Sequence, residues 1–236
     1  MLDDLRKVLF GGGERGLPEP LPVDPVPLLR SWYDEAVSAG PAKADASHNP
    51  TAMALATATA DGVPSVRTVL CKTIEPNGDL VFFTNYNGRK GRELAANPRA
   101  ACVFHWDAAR RQARVEGAAE RTSDAENDAY FATRPLLSRL GAWASRQSEP
   151  MPDRGVLLKD VLQAAKDHGV PALKLIMPES MTAGVLVPRP PHWGGFRLRA
   201  ARIELWCGSK SGRLHDRAAW TRSAAGPAWS GEWLYP

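Results

Sequence analysis

The apolar positions of this chain change period several times, and each change marks an element. Residues 1–25 carry the run GGGERGLPEPLPVDPVP, too rich in Gly and Pro for helix or strand. Asp24-Pro25 then opens a helical pattern, with Leu28, Leu29, Trp32, Tyr33 and Ala36 at helical spacing. Pro41 to Pro50 reads as loop. From Thr51 the period falls to two: AMALATATADG alternates small and apolar residues and stops at Asp61-Gly62, a hairpin signal. VPSVRTVLCKTI follows, then the turn Pro76-Asn77-Gly78 and the strand LVFFTNY. Gly91 to Asn97 predicts a short helix stopped by Asn97-Pro98, and AACVFHW and RQARVEGAAERT continue the strands. Ser123-Asp124-Ala125-Glu126 is a capping box, so a helix should run toward Arg134, with Pro135 ending it and opening the next. A further helix is expected over 153–167, irregular chain over 168–191, and strands again at GFRLRAARIELWC, RLHDRAAWTR and AWSGEWLY. The expected fold is mainly β (α+β), an antiparallel barrel with flanking helices rather than a doubly wound sheet. A flexible leader over 1–23 and one domain over 24–236, including the C-terminal strands, are the expected organisation.

Composition narrows the class. Hydrophobic residues make up 44% and charged residues 24% of the 236, an ordinary globular balance that excludes disorder of the whole chain. No apolar run reaches the roughly 18–20 residues of a membrane helix. The N-terminus has acids before its bases and does not read as a signal peptide. Cys71, Cys102 and Cys207 are too few and scattered for a disulfide framework or zinc site, and a reducing cytoplasm is expected.

The net charge of +4 is uneven: residues 1–50 hold 5 Lys/Arg and 8 Asp/Glu, and the remainder is basic. A basic body suits an anionic partner, be it nucleic acid, phosphorylated metabolite or nucleotide cofactor, or simply a soluble surface. Phosphate loops, nucleophile elbows and zinc-protease motifs are absent from the sequence, and His48, His105, His168, His192 and His215 lack ligand spacing. Three segments concentrate cations. On a strand, Arg67 and Lys72 of RTVLCK face opposite sides and need separate anions or separate solvent exposure. NYNGRKGR puts Arg89, Lys90 and Arg92 in a turn before a helix N-terminus, where a phosphate would sit well. RLHDR puts Arg213, His215 and Arg217 on one strand face, where they repel unless an anion or carboxylates balance them. A solvated charged turn and a charge-blunted edge strand are the plain readings of the last two. Tyr130, Arg134 and Ser138, four apart and four apart, lie near one helical face that Pro135 disturbs. Single-strand nucleic-acid binding by stacking on a basic barrel is a rival, opposed by charge clustered at points rather than along a track.

Taken together, RTVLCK, FFTNYNGRKGREL, RQARVEG, YFATRP, GAWASRQS, RPPHWGGFRL, IELW and RLHDR resemble, in order, the pyridoxine/pyridoxamine 5′-phosphate oxidase family of FMN-binding split barrels. The likeness runs from about Asp24 to Pro236. It implies a homodimer with FMN between the subunits and no nucleic acid, membrane or metal. The implied cofactor contacts are Arg67, Thr68, Val69, Leu70, Lys72, Phe83, Thr84, Arg89, Lys90, Gln112, Gln147, Ser148, Trp206 and Arg217. Lys72, Tyr130, Arg134 and Ser138 would meet a substrate phosphate, with Arg213 and His215 over the pyridine ring as catalytic residues. Arg67 and Lys72 would thus serve different ligands. The implied reaction oxidises C4′ of pyridoxine or pyridoxamine 5′-phosphate to pyridoxal 5′-phosphate, with hydride passing to the flavin, oxygen as acceptor and peroxide as product.

The chain departs from the family pattern in four places. CGSKSG puts six residues between Trp206 and Arg213, the segment 168–191 is long, Leu136 replaces a basic residue, and the chain closes on Trp-Leu-Tyr-Pro. These bear on the substrate rather than on FMN. The alternatives are a related flavin oxidase for another flat ring, such as a phenazine precursor, and a non-catalytic flavin or pyridoxal phosphate binder.

Overall fold

The computed structural model describes residues 16–40, 49–182, 184–209, 214–223, 226 and 228–236. They divide into two compact units.

The first unit, with described residues in 16–82, 97–120 and 197–236, carries most of the sheet. The strands are β1 (Ala52–Ala58), β2 (Pro64–Ile74), β3 (Leu80–Asn85), β4 (Arg99–Trp106), β5 (Arg111–Arg121), β6 (Trp193–Cys207), β7 (Asp216–Arg222) and β8 (Trp229–Trp233). Their order is β3-β2-β1-β4-β5-β6-β7-β8, and β3 also pairs β6, so the first six strands close on themselves. Local signals set this up as expected. β1 and β2 form an antiparallel hairpin, with Gly62 at φ 89° in the turn that the Asp61-Gly62 pair predicts. Gly78, also at φ 89°, turns β2 into β3. The alternation of β1 buries Met53 and Leu55 inside, and Phe104, Val115, Leu205 and Trp220 complete an apolar interior. At Gly117 a Cβ would fall 1.8 Å from the Arg199 carbonyl oxygen, so a glycine is required for β5 to approach β6.

Helix α1 (Val26–Ala39) starts after Pro25 and buries Val26, Leu29 and Trp32. Residues 17–22 before it lie against β7. Leu17 N–H donates to Asp216 Oδ2 at 2.9 Å, and the Trp220 indole donates to the Pro22 carbonyl at 2.8 Å.

The second unit holds residues 83–96 and 121–196, with helices α2 (Arg89–Ala96), α3 (Asp124–Ala132), α4 (Leu136–Ala144) and α5 (Arg154–Asp167). The capping box at Ser123 and Glu126 is formed. The helix it starts stops at Ala132, short of the expected Arg134, because Pro135 has no N–H to continue it and sits instead at the N-cap of α4. Leu136 and Leu140 pack with Ala164, Ala165, Val170 and Val187, so the irregular stretch after α5 is folded back onto α4. Arg139, Trp143 and the Ala142 carbonyl hold it there through Val185 O, Pro188 O and the His192 ring, at 2.8, 2.7 and 3.0 Å.

Candidate active site

In the second unit, the three-cation turn is built around a buried ammonium. Lys90 Nζ donates to Thr84 Oγ1 at 2.9 Å and to Gln147 Oε1 at 2.7 Å. Thr84 ends β3, Lys90 begins α2 and Gln147 follows α4, so three elements converge there. Arg89 N–H donates to Ser148 Oγ at 3.2 Å, while its guanidinium pairs with buried Glu93 at 2.8 Å. Ser148 stands at φ 72°, a left-handed backbone that a β-carbon makes uncommon. Gly88 leaves the room: a Cβ there would sit 2.6 Å from Gln147 Oε1. The third cation, Arg92, turns away to the Asn87 carbonyl.

A second cationic station lies at the α3–α4 break. Tyr130 is in the last turn of α3, Arg134 in the link and Ser138 in the first turn of α4, rather than on one helix. The Arg134 guanidinium lies 4.5 Å from the centroid of the Trp193 ring and 5.5 Å from that of Phe131. Arg134 Nη1 is buried and has no hydrogen-bond partner among the described residues. Burial holds this guanidinium below its ordinary pKa, though an arginine keeps its charge. Tyr130 stacks on Phe83 at 4.0 Å between centroids, so Phe83, expected beside the cofactor, shares a stack with an expected substrate residue.

In the first unit, Arg67 and Lys72 fall on opposite rows of β2, as the spacing predicts. The Arg67 guanidinium donates to Leu55 O, Thr57 Oγ1 and Ser65 Oγ. Val69 lies on its row, and Thr68 and Leu70 lie on the exposed row with Lys72. Gln112, on β5, is half-buried opposite His105. Trp206 pairs Arg217 across β6 and β7, and the Trp206 and His215 rings lie 4.8 Å apart. The expected strand face of Arg213, His215 and Arg217 is not formed as drawn: β7 begins at Asp216, and His215 lies before it. There His215 Nδ1 accepts the Ser209 N–H at 3.2 Å. Arg213 lies outside the described residues.

The carboxylate that meets Arg217 is Glu204, which carries no sequence motif of its own. It is 4% exposed, takes Arg217 Nε at 3.1 Å and Nη2 at 3.2 Å, and has Arg114 and Arg202 within 3.6 Å. Its signal was an acid in the middle of the apolar run IELW. Trp193 and Asn127 were also passed over. Asn127 Oδ1 takes the Thr122 hydroxyl at 2.6 Å and the Gly195 N–H at 2.7 Å, pinning the start of β6, which carries Trp193.

This donor set fits flavin mononucleotide: cations for a phosphate dianion, amide side chains for ring edges, and a cradle at Gly88 that any side chain would fill. A six-stranded closed antiparallel barrel flanked by helices is the FMN-binding split-barrel class. A solved FMN-binding protein from Nostoc punctiforme, described as pyridoxamine 5′-phosphate oxidase-related, shares this fold at TM-score 0.62 and 18% identity, over 88% of this chain and 97% of that one. The family model "Pyridoxamine 5′-phosphate oxidase" matches residues 41–166, and "Pyridoxine 5′-phosphate oxidase C-terminal dimerisation region" matches residues 193–236. The chain belongs to the pyridoxamine 5′-phosphate oxidase family. It is 49% identical to the pyridoxine/pyridoxamine 5′-phosphate oxidase of Rubrobacter xylanophilus, over 90% of this chain and 87% of that protein. PhzG of Burkholderia lata, solved with tetrahydrophenazine-1-carboxylic acid, is 29% identical at TM-score 0.75, over 92% of this chain and 95% of that one.

Among the described residues, no helix is long and apolar enough to cross a membrane.

Proposed function

We propose that this protein oxidises pyridoxine 5′-phosphate or pyridoxamine 5′-phosphate to pyridoxal 5′-phosphate, with FMN as cofactor, oxygen as acceptor and peroxide as product. The observation that carries the reading is a pair of separate cations in one unit with different surroundings, buried Lys90 and half-buried Arg134. One suits the cofactor phosphate and the other the substrate phosphate. Relatives of the oxidase name at 49% identity, against 29% for PhzG, leave the phenazine-type alternative unfavoured.

The flavin supplies the hydride acceptor. The chain supplies placement. Arg89 and Lys90, with Arg67, give charge-assisted bonds to the cofactor phosphate, and Gln112, Gln147 and Ser148 hold its remaining polar edges. Thr68, Val69, Leu70, Phe83, Thr84 and Trp206 wall the cofactor. Arg217 contacts it with an orientation fixed by the Glu204 fork. Lys72, Tyr130, Arg134 and Ser138 take the substrate phosphate. Because His215 Nδ1 is an acceptor, a neutral His215 carries its proton at Nε2 and offers the substrate a donor rather than a base. By family resemblance Arg213 would contribute a second contact to the pyridine ring. Holding the reacting carbon at the flavin is where most of the rate would come from.

The assembly is a homodimer, and FMN between the subunits is the finer proposal. The matched dimerisation region and the exposed Val66 and Leu70 on β2 support it. Three reduced thiols suit the cytoplasm. The purified protein should be yellow and should release peroxide with pyridoxamine 5′-phosphate. A yellow protein indifferent to both B6 phosphates would refute the substrate, and a colourless one the cofactor.

A further inference from the structure

The unpartnered nitrogen of Arg134 is costly. A buried charged donor without an acceptor has lost its hydration uncompensated, so something must hold it in place until a ligand arrives. That support is Trp193. The Arg134 guanidinium carbon lies 4.5 Å from the indole centroid, where the ring face attracts the cation without engaging Nη1, which has no hydrogen-bond partner among the described residues.

The indole is itself held on several sides. Phe83 lies nearly parallel to it at 5.5 Å and 9°, and Phe131 meets it edge-on at 5.0 Å. The Trp193 carbonyl takes Arg189 Nη1 at 2.8 Å, and Arg189 is anchored in turn by Asp124 and Asp128 on α3. The two residues after it must be glycines. A Cβ at Gly194 would lie 2.1 Å from Tyr86 Oη, and one at Gly195 2.5 Å from Thr122 Oγ1. Trp193 thus packs in a cluster with Phe131 and Ala142 and also presents its ring to the Arg134 cation.

We propose that Trp193 is a positioning residue. By fixing the Arg134 guanidinium before substrate arrives, it sets how strongly the site prefers phosphorylated over unphosphorylated ligands. The inference rests on the reading that Arg134 meets the substrate phosphate.

The test uses FMN-loaded Trp193→Leu and Trp193→Phe proteins. Three quantities are measured: KM and kcat for pyridoxamine 5′-phosphate, competitive inhibition by inorganic phosphate, and competitive inhibition by unphosphorylated pyridoxamine. Trp193→Leu should raise KM and the phosphate inhibition constant about tenfold, with a smaller change in kcat. Inhibition by pyridoxamine should move less than about twofold. Trp193→Phe, which keeps a ring face, should recover most of the loss. Flavin absorbance per subunit equal to wild type shows that the leucine variant is folded; if it is not, the phenylalanine variant is read for a partial rise of the same pattern. Equal losses for phosphorylated and unphosphorylated ligands, or a fall in kcat at constant KM, would overturn the proposal. Should the wild type turn over neither B6 phosphate, the substrate reading fails by itself. Trp193 is then judged on equilibrium binding of inorganic phosphate: about tenfold weakening in Trp193→Leu upholds the role, and unchanged or absent binding ends it.

Discussion

Replacing Asn127 with alanine tests how the candidate site is held. The side chain is 1% exposed and has four partners. Its oxygen accepts from Thr122 Oγ1 and from Gly195 N–H; its amide donates to Tyr86 Oη at 3.4 Å and Thr122 O at 3.3 Å. Alanine leaves the Gly195 N–H and the Thr122 hydroxyl buried without acceptors. Each orphan costs about 1–3 kcal/mol. The hydroxyl can rotate and the amide cannot, so a total of about 3 kcal/mol is expected. For a chain of this size that lowers Tm by about 6–12 °C. The assay is thermal unfolding at fixed protein concentration and saturating FMN, since ligand and partner both shift Tm by mass action. Asn127→Asp separates the two halves of the network. A carboxylate keeps both acceptor bonds, loses the donors and buries a charge. Its pKa should be raised, so its stability should improve as pH falls and worsen as pH rises. An alanine variant within about 2 °C of wild type would show that water satisfies the orphans and that Asn127 does not hold the start of β6.

Three further outcomes follow from packing and charge. Gly117→Ala should abolish soluble barrel protein or cost more than about 4 kcal/mol, because its Cβ meets the backbone of Arg199 rather than a movable side chain; near-normal Tm would contradict the β5–β6 approach. Cys71, Cys102 and Cys207 are all buried, and burial pushes the Cys71 thiol up to about 12 and the other two upward as well. All three should resist a thiol reagent at neutral pH in the native protein and react only after denaturation. Hydrogen bonds from Arg111 and Ser31 hold the Glu35 carboxyl below its usual range, so its stabilisation exists above the unfolded pKa and is lost as pH falls through the folded one. Glu35→Gln should therefore cost less than about 1 kcal/mol near neutrality, because the Glu35 side chain is itself mostly exposed, and nothing at low pH.

The barrel was legible because its hairpins are local. Asp61-Gly62 and Pro76-Asn77-Gly78 announce their turns, and a two-residue period announces which side of β1 is buried. The same period placed Arg67 and Lys72 on opposite rows. What local pattern could not give was pairing over distance. Glu204 and Arg217 meet only because β6 and β7 pair in one register, and Asn127 reaches Gly195 across 68 residues. The spacing of Arg213, His215 and Arg217 predicts one strand face, yet the strand starts at Asp216, where pairing with Cys207 begins. The site residues came from family resemblance rather than periodicity, and resemblance names ligand contacts more readily than the residues behind them. Trp193, Glu204 and Asn127 were therefore found only in three dimensions.

The docking of residues 17–22 on β7 has a consequence for how the chain is made. Asp216 follows Leu17 by 199 residues. At roughly 5–20 residues per second, about 10–40 s separate their emergence from the ribosome. β6, which joins both β5 and β3, also comes after the whole helical unit has been synthesised. Until then β1 to β5 can assemble only as an open sheet with β3 and β5 as unpaired edges. The period of greatest aggregation risk thus falls during translation, and a chaperone that shields nascent β edges would raise the yield of this protein without altering the stability of the finished fold.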